Sequence, residues 1–336
     1  MGADRDTTAT TTDAPIAAAT EPVLDDELEL AETGSSASTS ITSSIYKHAY
    51  ENGRRFHSYK YGRYPLPNDD AEQQREDIKH AMMLEVTDGK LYYAPISSDS
   101  QRILDVGTGT GIWAIEMADM MPSAEVLGID LSPIQPQWVP PNCKFMVDDA
   151  EEEWLNGDDY DMVHMRTMAS TLKDVPKTLG YAFKSLKPGA WLEMQEIHGW
   201  ANCDDGTMPE DDPLYKFYVT AGDAFRSFGM NLALAKDLRP LIEEAGFVNI
   251  QCIVKKVPVG PWPKDRTLRV AGLYCRQAIL ELIPAMVGKP FQALGMSKAE
   301  AEMLGLDVRK ALKDMSKHRY LNFYFWIAQK PESPTS

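Results

Sequence analysis

Cysteine is scarce in this chain: four residues in 336, Cys143, Cys203, Cys252 and Cys275, with no CxxC pair among them. That excludes a disulfide framework and a zinc site built on thiolate pairs, and fits reduced, mostly buried thiols. Basic charge is short as well. Thirty-four Lys and Arg stand against fifty Asp and Glu, a formal net charge of −16. A nucleic-acid binder needs clustered cations to neutralise phosphates, so no nucleic-acid partner is expected. No apolar run reads as a membrane span, and the amino terminus lacks the apolar centre of a signal peptide, so no membrane partner is expected either. The compartment expected on these grounds is the cytoplasm, with the nucleus as the alternative.

What is present is the composition of a globular protein, 43% hydrophobic and 25% charged. Residues 1–43 stand apart, rich in Thr, Ala, Ser and acidic residues and almost without aromatics. Such a segment cannot bury enough apolar surface to offset its ordering entropy, so it reads as a disordered acidic tail. Its "PVLDDELEL" stretch reads as solvated tail, with an acidic motif that docks a protein partner as the alternative. Residues 44–330 read as a single domain, closed by a short tail at 331–336.

Within that domain, 44–100 supplies a Tyr- and Arg-rich segment and then one amphipathic helix over about 69–87, with Asp69 and Glu72 spaced as a capping box. From 101 to 199, strands and helices alternate, the mark of an open, mostly parallel α/β sheet. The expected strands are 102–107, 124–130, 143–149, 160–166 and 190–197, with helices at about 111–121 and 174–186. Residues 200–318 add the helix "LALAKDLRPLIEEAGF", a sixth strand starting at Val248, and a helical stretch from 262 that carries a second capping box, Ser297 with Glu300. A last strand is expected over 319–330.

The chemistry concentrates in "RILDVGTGTGIWAIEMA", residues 102–118. A strand delivering glycines to a helix start lets backbone approach a ligand closely. A P-loop would need Gly-Lys-Ser/Thr after the glycines, and no Lys is there. A nicotinamide loop needs GxGxxG; Gly107 and Gly109 satisfy it, but its third place holds Ile112. What remains is an acidic strand residue followed by alternating glycines: Asp105, Gly107, Thr108, Gly109 and Gly111. Asp130 closes the next strand, nineteen residues beyond Gly111, where a carboxylate can accept from both hydroxyls of a ribose. That device indicates a ribose without saying which cofactor carries it. The third strand ends in Asp148, Asp149 and Ala150.

The "DVGTGTG" run resembles motif I of the class I S-adenosylmethionine-dependent methyltransferases. The likeness extends further. "ENGRRFHSYKYGRYPLPNDDAEQQREDIKH", "GIDLSPIQPQWVPPNCKF", "DDAEEEW", "YDMVHMR" and "LKPGAWLEMQEI" together resemble the LaeA-like fungal methyltransferases over roughly residues 45–330. The resemblance implies a Rossmann-like α/β fold: a seven-stranded, mostly parallel sheet with a reversed hairpin at its carboxyl-terminal edge and helical lid insertions. It implies S-adenosylmethionine as cofactor, with Asp149 (or its neighbour Asp148) accepting from the adenine amino group and Ala150 meeting the ring. Leu131 and Ile134, just past Asp130, are placed either to pack on the adenine face or to anchor the loop. It implies a methyl transfer to O or N of a small molecule of fungal secondary metabolism. The alternative within the family is a nuclear regulator acting through protein partners.

Methyl transfer mainly requires positioning, because the cofactor already carries a good leaving group. No Asn/Asp-Pro-Pro-Tyr sequence occurs, which disfavours amines on nucleic-acid bases. His198, after the fifth strand, is the candidate base for a hydroxyl acceptor, with a polar strand cap as the competing reading. His164, Met165, Arg166 and Glu196 also fall at strand ends. Tyr59, Tyr61, Arg63 and Tyr64 precede the first strand. There an aromatic ring, Tyr59 foremost, can lie against a sulfonium as a lid, or equally pack the helix onto the sheet. Trp200, Tyr215, Phe217, Tyr218, Phe225 and Phe228, with the helical stretch 262–318, are the expected acceptor walls, hydrophobic core being the competing reading for several of them.

Overall fold

In a computed structural model of the chain, residues 10–11, 14–19, 48–51 and 53–332 are described. Two short strands, β1 (Thr10–Thr11) and β2 (His48–Glu51), precede β3 (Arg54–His57), which pairs antiparallel with β2. Helix α1 (Asp70–Val86) leads into the alternating core: β4 (Arg102–Val106), α2 (Ile112–Met120), β5 (Glu125–Asp130), β6 (Cys143–Val147), β7 (Tyr160–Arg166), α3 (Val175–Ser185) and β8 (Leu186–Asn202). Then come α4 (Pro213–Ser227), α5 (Arg239–Glu244), β9 (Val248–Pro258), α6 (Arg266–Val287), α7 (Lys289–Ala293), α8 (Lys298–Ala311) and β10 (Tyr320–Gln329).

The principal sheet runs β1-β9-β10-β8-β7-β4-β5-β6. β4 to β8 are mutually parallel, and β10 lies antiparallel between β8 and β9. This is the expected seven-stranded architecture with its reversed edge. The eighth member, β1, adds two residues parallel to β9, pairing Thr10 with Ile253 and Thr11 with Val254. Ala19 N–H donates to Trp262 O at 2.9 Å, and Lys264 N–H donates to Ala17 O. These stretches, read from sequence as part of a structureless tail, therefore pair with the domain. "PVLDDELEL" lies outside the described residues.

Side-chain alternation sorts the sheet into two faces. Leu104, Val106, Val163, Met165, Leu192, Met194 and Trp326 pack with α3 and α5. Ile103, Val126 and Met162 pack with Trp113 and Met117 of α2. Phe323 and Phe325 of β10 face α1, α4 and α6. Asp69 caps α1 by accepting from Glu72 N–H at 3.2 Å, but the Glu72 carboxylate turns to Arg75 rather than closing the expected box. Ser297 and Glu300 form theirs. The single helix expected before β9 is instead a 3-10 turn at 234–236 followed by α5, with Pro240 in the first turn of α5.

By length and composition α6 could cross a bilayer, 22 residues with mean hydropathy 1.3 over its most apolar stretch. The sequence reading found no such run. Ala271, Cys275, Ile279 and Ile283 are buried among the core residues, as in a central helix of a globular fold.

Candidate active site

β4 ends in a turn that only glycine accommodates comfortably. Gly107, Gly109 and Gly111 all have positive φ, at 72°, 57° and 83°. Their surroundings differ. A Cβ at 107 would collide with the Met168 thioether, and one at 111 with the Phe145 ring. At 109 nothing lies within 4 Å, so the backbone there borders open space. That space is a cavity of about 290 Å³ at the carboxyl ends of the strands, lined by Gly107, Gly109, Asp130, Leu131, Ile134, Asp148, Asp149 and Ala150.

Asp130 faces this space while holding the loop. One carboxylate oxygen accepts from Gly109 N–H at 2.9 Å and the other from Ser132 N–H at 2.8 Å. Each oxygen keeps a further acceptor position for a ligand hydroxyl. Burial pushes its pKa up to about 6, against the effect of those two N–H bonds. Asp149 is engaged from outside. Lys60 Nζ donates to it at 2.8 Å, and its second oxygen accepts from Glu151 N–H at 2.9 Å. Although burial opposes it, these contacts hold the carboxyl below its ordinary range.

Lys60 belongs to a strap, residues 54–68, that crosses the strand ends. Arg54 pairs with Asp69 at 2.8 Å, Arg63 with Glu151, and Asn68 Nδ2 donates to Ser132 Oγ at 3.2 Å. Below it, α1 turns a charged ladder toward the cavity: Glu72, Arg75, Glu76 and Lys79. Arg75 binds Glu72 at 2.6 Å and also Glu76, and Lys79 binds Glu76 at 2.8 Å. Arg166, at the end of β7, lines the cavity and donates to His80 Nδ1 at 2.9 Å. That nitrogen must therefore be the unprotonated one, leaving Nε2–H 3.0 Å from Glu116.

Beyond the ladder the cavity becomes apolar. Tyr218, Ala221 and Phe225 of α4 face Cys275, Ile279 and Met286 of α6, with Leu321 and Phe323 of β10 and Ile197 and Gly199 of β8.

Asp105, Thr108, Gly111, His164, Tyr59, His198 and Glu196, all expected at or near the site, do not line it. Asp105 points into the α2 face, accepting from Thr108 Oγ1 at 2.6 Å and contacting His164 Nδ1 at 2.7 Å. His164 stacks on Trp113, centroids 3.6 Å apart. Asp105 and Thr108 thus brace the glycine loop from beneath, and Gly111 makes room for Phe145. Tyr59 sits outside the cavity with Lys60 Nζ 5.7 Å from its ring; Tyr64 is the strap aromatic that lines it. His198 is the clearest correction. Ile197 and Gly199 face the cavity, so alternation turns His198 to the opposite face, where it stacks on Trp200 at 4.9 Å. It cannot reach an acceptor there. Glu196 shares that parity and accepts from Met168 and Ala169 N–H at 3.0 and 2.9 Å, fixing a loop that lines the cavity.

Of the aromatic wall residues expected, Tyr218 and Phe225 line the chamber; Phe217 is core against Phe291, and Tyr215 is exposed. The α1 ladder was missed, although the spacing 72, 75, 76, 79 marks one helix face; the α6 wall falls within the helical stretch 262–318 expected to line the acceptor pocket.

Residues 75–252 match a family model described as a methyltransferase domain. The chain is 38% identical over 298 residues to methyltransferase pytC of Aspergillus terreus, covering 88% of this chain and 92% of that one. It is 37% identical over 290 residues to the secondary metabolism regulator LAE1 of Cochliobolus heterostrophus, covering 84% and 94%. It is 33% identical to the protein-methionine methyltransferase laeA of Emericella nidulans, covering 84% and 76%. Among solved structures it is similar to a Haemonchus contortus phosphoethanolamine N-methyltransferase 2 in complex with S-adenosyl-L-methionine, at TM-score 0.41 and 20% identity, covering 76% and 53%.

Proposed function

The chain belongs to the S-adenosylmethionine-dependent methyltransferases, among the fungal relatives of LaeA, and from that premise we propose that it methylates oxygen or nitrogen of a small, largely apolar molecule. The observation that carries this reading is the continuity of one cavity from the strand ends to the α4–α6 chamber. Its polar end fits the cofactor. Gly109 leaves open space over its backbone, and Asp130 keeps two acceptor positions aimed into it. Asp130 would take the ribose hydroxyls, Gly107 and Gly109 the methionine portion, and Asp149, Ala150, Leu131 and Ile134 the adenine. When bound, the cofactor supplies a sulfonium methyl group whose leaving thioether needs no assistance.

The chain's own part is to orient and to exclude water. The strap and α1 cover the strand ends through Lys60–Asp149, Arg63–Glu151 and Asn68–Ser132. A neutral amine acceptor attacks with its lone pair and releases a proton to water afterwards; a hydroxyl must lose its proton as the new bond forms. Enclosure behind α1, α4 and α6 favours a small acceptor over a protein chain, and so favours the enzyme over a regulator acting through partners.

Two measurements test this. Calorimetric titration with S-adenosylhomocysteine should show binding, and titration with NAD should show none. Incubation with methyl-labelled cofactor and an extract of the source organism should place the label in a low-molecular-weight product. Label found only in protein would overturn the small-acceptor reading.

A further inference from the structure

Resting on the methyl-transfer reading of the cavity, the chamber's chemistry allows the acceptor class to be narrowed. The walls that α4, α6 and β10 give it carry one hydroxyl, on Tyr218. Tyr218 is 9% exposed, and its ring lies across Gly199, where an added Cβ would come within 3.0 Å of Cδ1. The Tyr218 hydroxyl has no hydrogen-bond partner among the described residues, although its side chain borders the cavity. The titratable groups near it are Cys275 of α6 and Arg75 of α1. Burial, with Cys275 beside it, raises its pKa above the ordinary tyrosine value, so the phenol stays protonated at neutral pH. The hydroxyl oxygen is not among the fully enclosed polar atoms without a partner, so it opens to the cavity, where water or a ligand can satisfy it.

The cations around the cavity are all engaged. Arg75 holds Glu72 and Glu76, Lys79 holds Glu76 and Arg63 holds Glu151, while Arg166 bonds the neutral His80 Nδ1 and lies in the field of Asp105, Glu76, Glu116 and Asp77. The carboxylates of α1 are the counterparts of those same ion pairs. An acceptor bearing its own charge would lose its hydration and find no uncommitted partner.

We propose that Tyr218 orients the methyl acceptor, and that the acceptor is an uncharged, mainly apolar ring compound bearing an oxygen that hydrogen-bonds the Tyr218 hydroxyl. The hydroxyl binds and aligns; it is not asked to take a proton. A site built around one buried polar group discriminates strongly against analogues that lack its partner.

The test uses the full chain saturated with S-adenosylhomocysteine and the neutral fluorophore N-phenyl-1-naphthylamine as chamber probe. 2-Naphthol should displace the probe at a concentration about tenfold or more below that of naphthalene. 2-Naphthoate and 2-naphthylmethylammonium should displace it least. Tyr218→Phe, which keeps the ring on Gly199, should bring 2-naphthol and naphthalene to within about twofold of each other and leave naphthalene itself unchanged. The proposal is overturned if the probe does not bind, if wild-type protein shows no preference for 2-naphthol, if Tyr218→Phe keeps the preference, or if a charged naphthalene competes best. Affinity for S-adenosylhomocysteine, measured separately, is expected to be equal in both proteins. Its absence from both would sink the cofactor reading instead.

Discussion

Along the strand ends the cavity wall is largely backbone and carboxylate: Gly107 and Gly109 present main chain, and Asp130 both braces the loop and faces the opening. Farther in, the wall is mostly side chains, contributed by α4, α6, β10 and β8, which come together only in the folded chain. The first region is set by residues adjacent in sequence, the second by packing between segments far apart. A local motif can specify a shared cofactor, while helices docked from elsewhere are free to vary with the acceptor. Mutations should therefore separate cleanly into two classes.

The largest effect expected belongs to the framework of the inner region. Arg319 is buried and binds Asp212, the residue that caps α4, through Nε at 2.8 Å and Nη2 at 2.7 Å. Arg319→Ala strands that carboxylate and should cost about 3–5 kcal/mol in denaturant unfolding. Gly109→Val comes next. It forces a branched side chain into positive φ and into the opening, and should weaken S-adenosylhomocysteine binding by about 100-fold or more with far-UV dichroism unchanged.

Asp130→Asn should weaken cofactor binding by roughly 10- to 100-fold, the loss of charge-assisted bonds. Its pH behaviour sharpens the contrast. With Asp130 at about 6, protonation removes acceptor capacity, so affinity should fall as pH drops through 6, while the Asn variant stays flat. Stability moves the other way. The folded value exceeds the ordinary aspartate value, so the carboxyl's contribution is fully present below the unfolded pKa and lost as pH rises through 6. Calorimetry and thermal melts across that window would read both slopes.

Ala278→Met, on the α6 wall, should raise the KM for an apolar acceptor about tenfold and leave cofactor affinity alone; a parallel loss of cofactor binding would erase the division between the regions. The smallest effect is expected from Lys60→Ala. Its partly exposed pair with Asp149 is worth about 1 kcal/mol at most, so stopped-flow release of S-adenosylhomocysteine should quicken only a few-fold.

What could be read from sequence divides along the same line. β4, β5 and β6 are short, mostly apolar runs ending in turn residues, and the residues just past or at their ends include Gly109, Asp130 and Asp149, so strand order alone put those three on one edge. The face of a strand is harder to read, because one step of register reverses every side chain. β8 is apolar or buried on both sides, with Glu193, Gln195 and Glu196 all enclosed, so nothing local showed that His198 lies behind the cavity and Gly199 within it. Asp105 and Thr108 had the right loop but the wrong depth. The chamber was the least legible. Cys275, Ile279 and Met286 look like any apolar helix stripe until α1 is laid against α6.

The strap that closes the cavity is made before anything it closes upon. Lys60 and Arg63 leave the ribosome some ninety residues ahead of Asp149 and Glu151, and α1 about two hundred ahead of α6. These are long loops for the fold to shut, and their contacts form only after the sheet exists to receive them. The segment completed last is also the one that can let go first, so cofactor exchange can proceed through a local opening while the strands beneath stay folded.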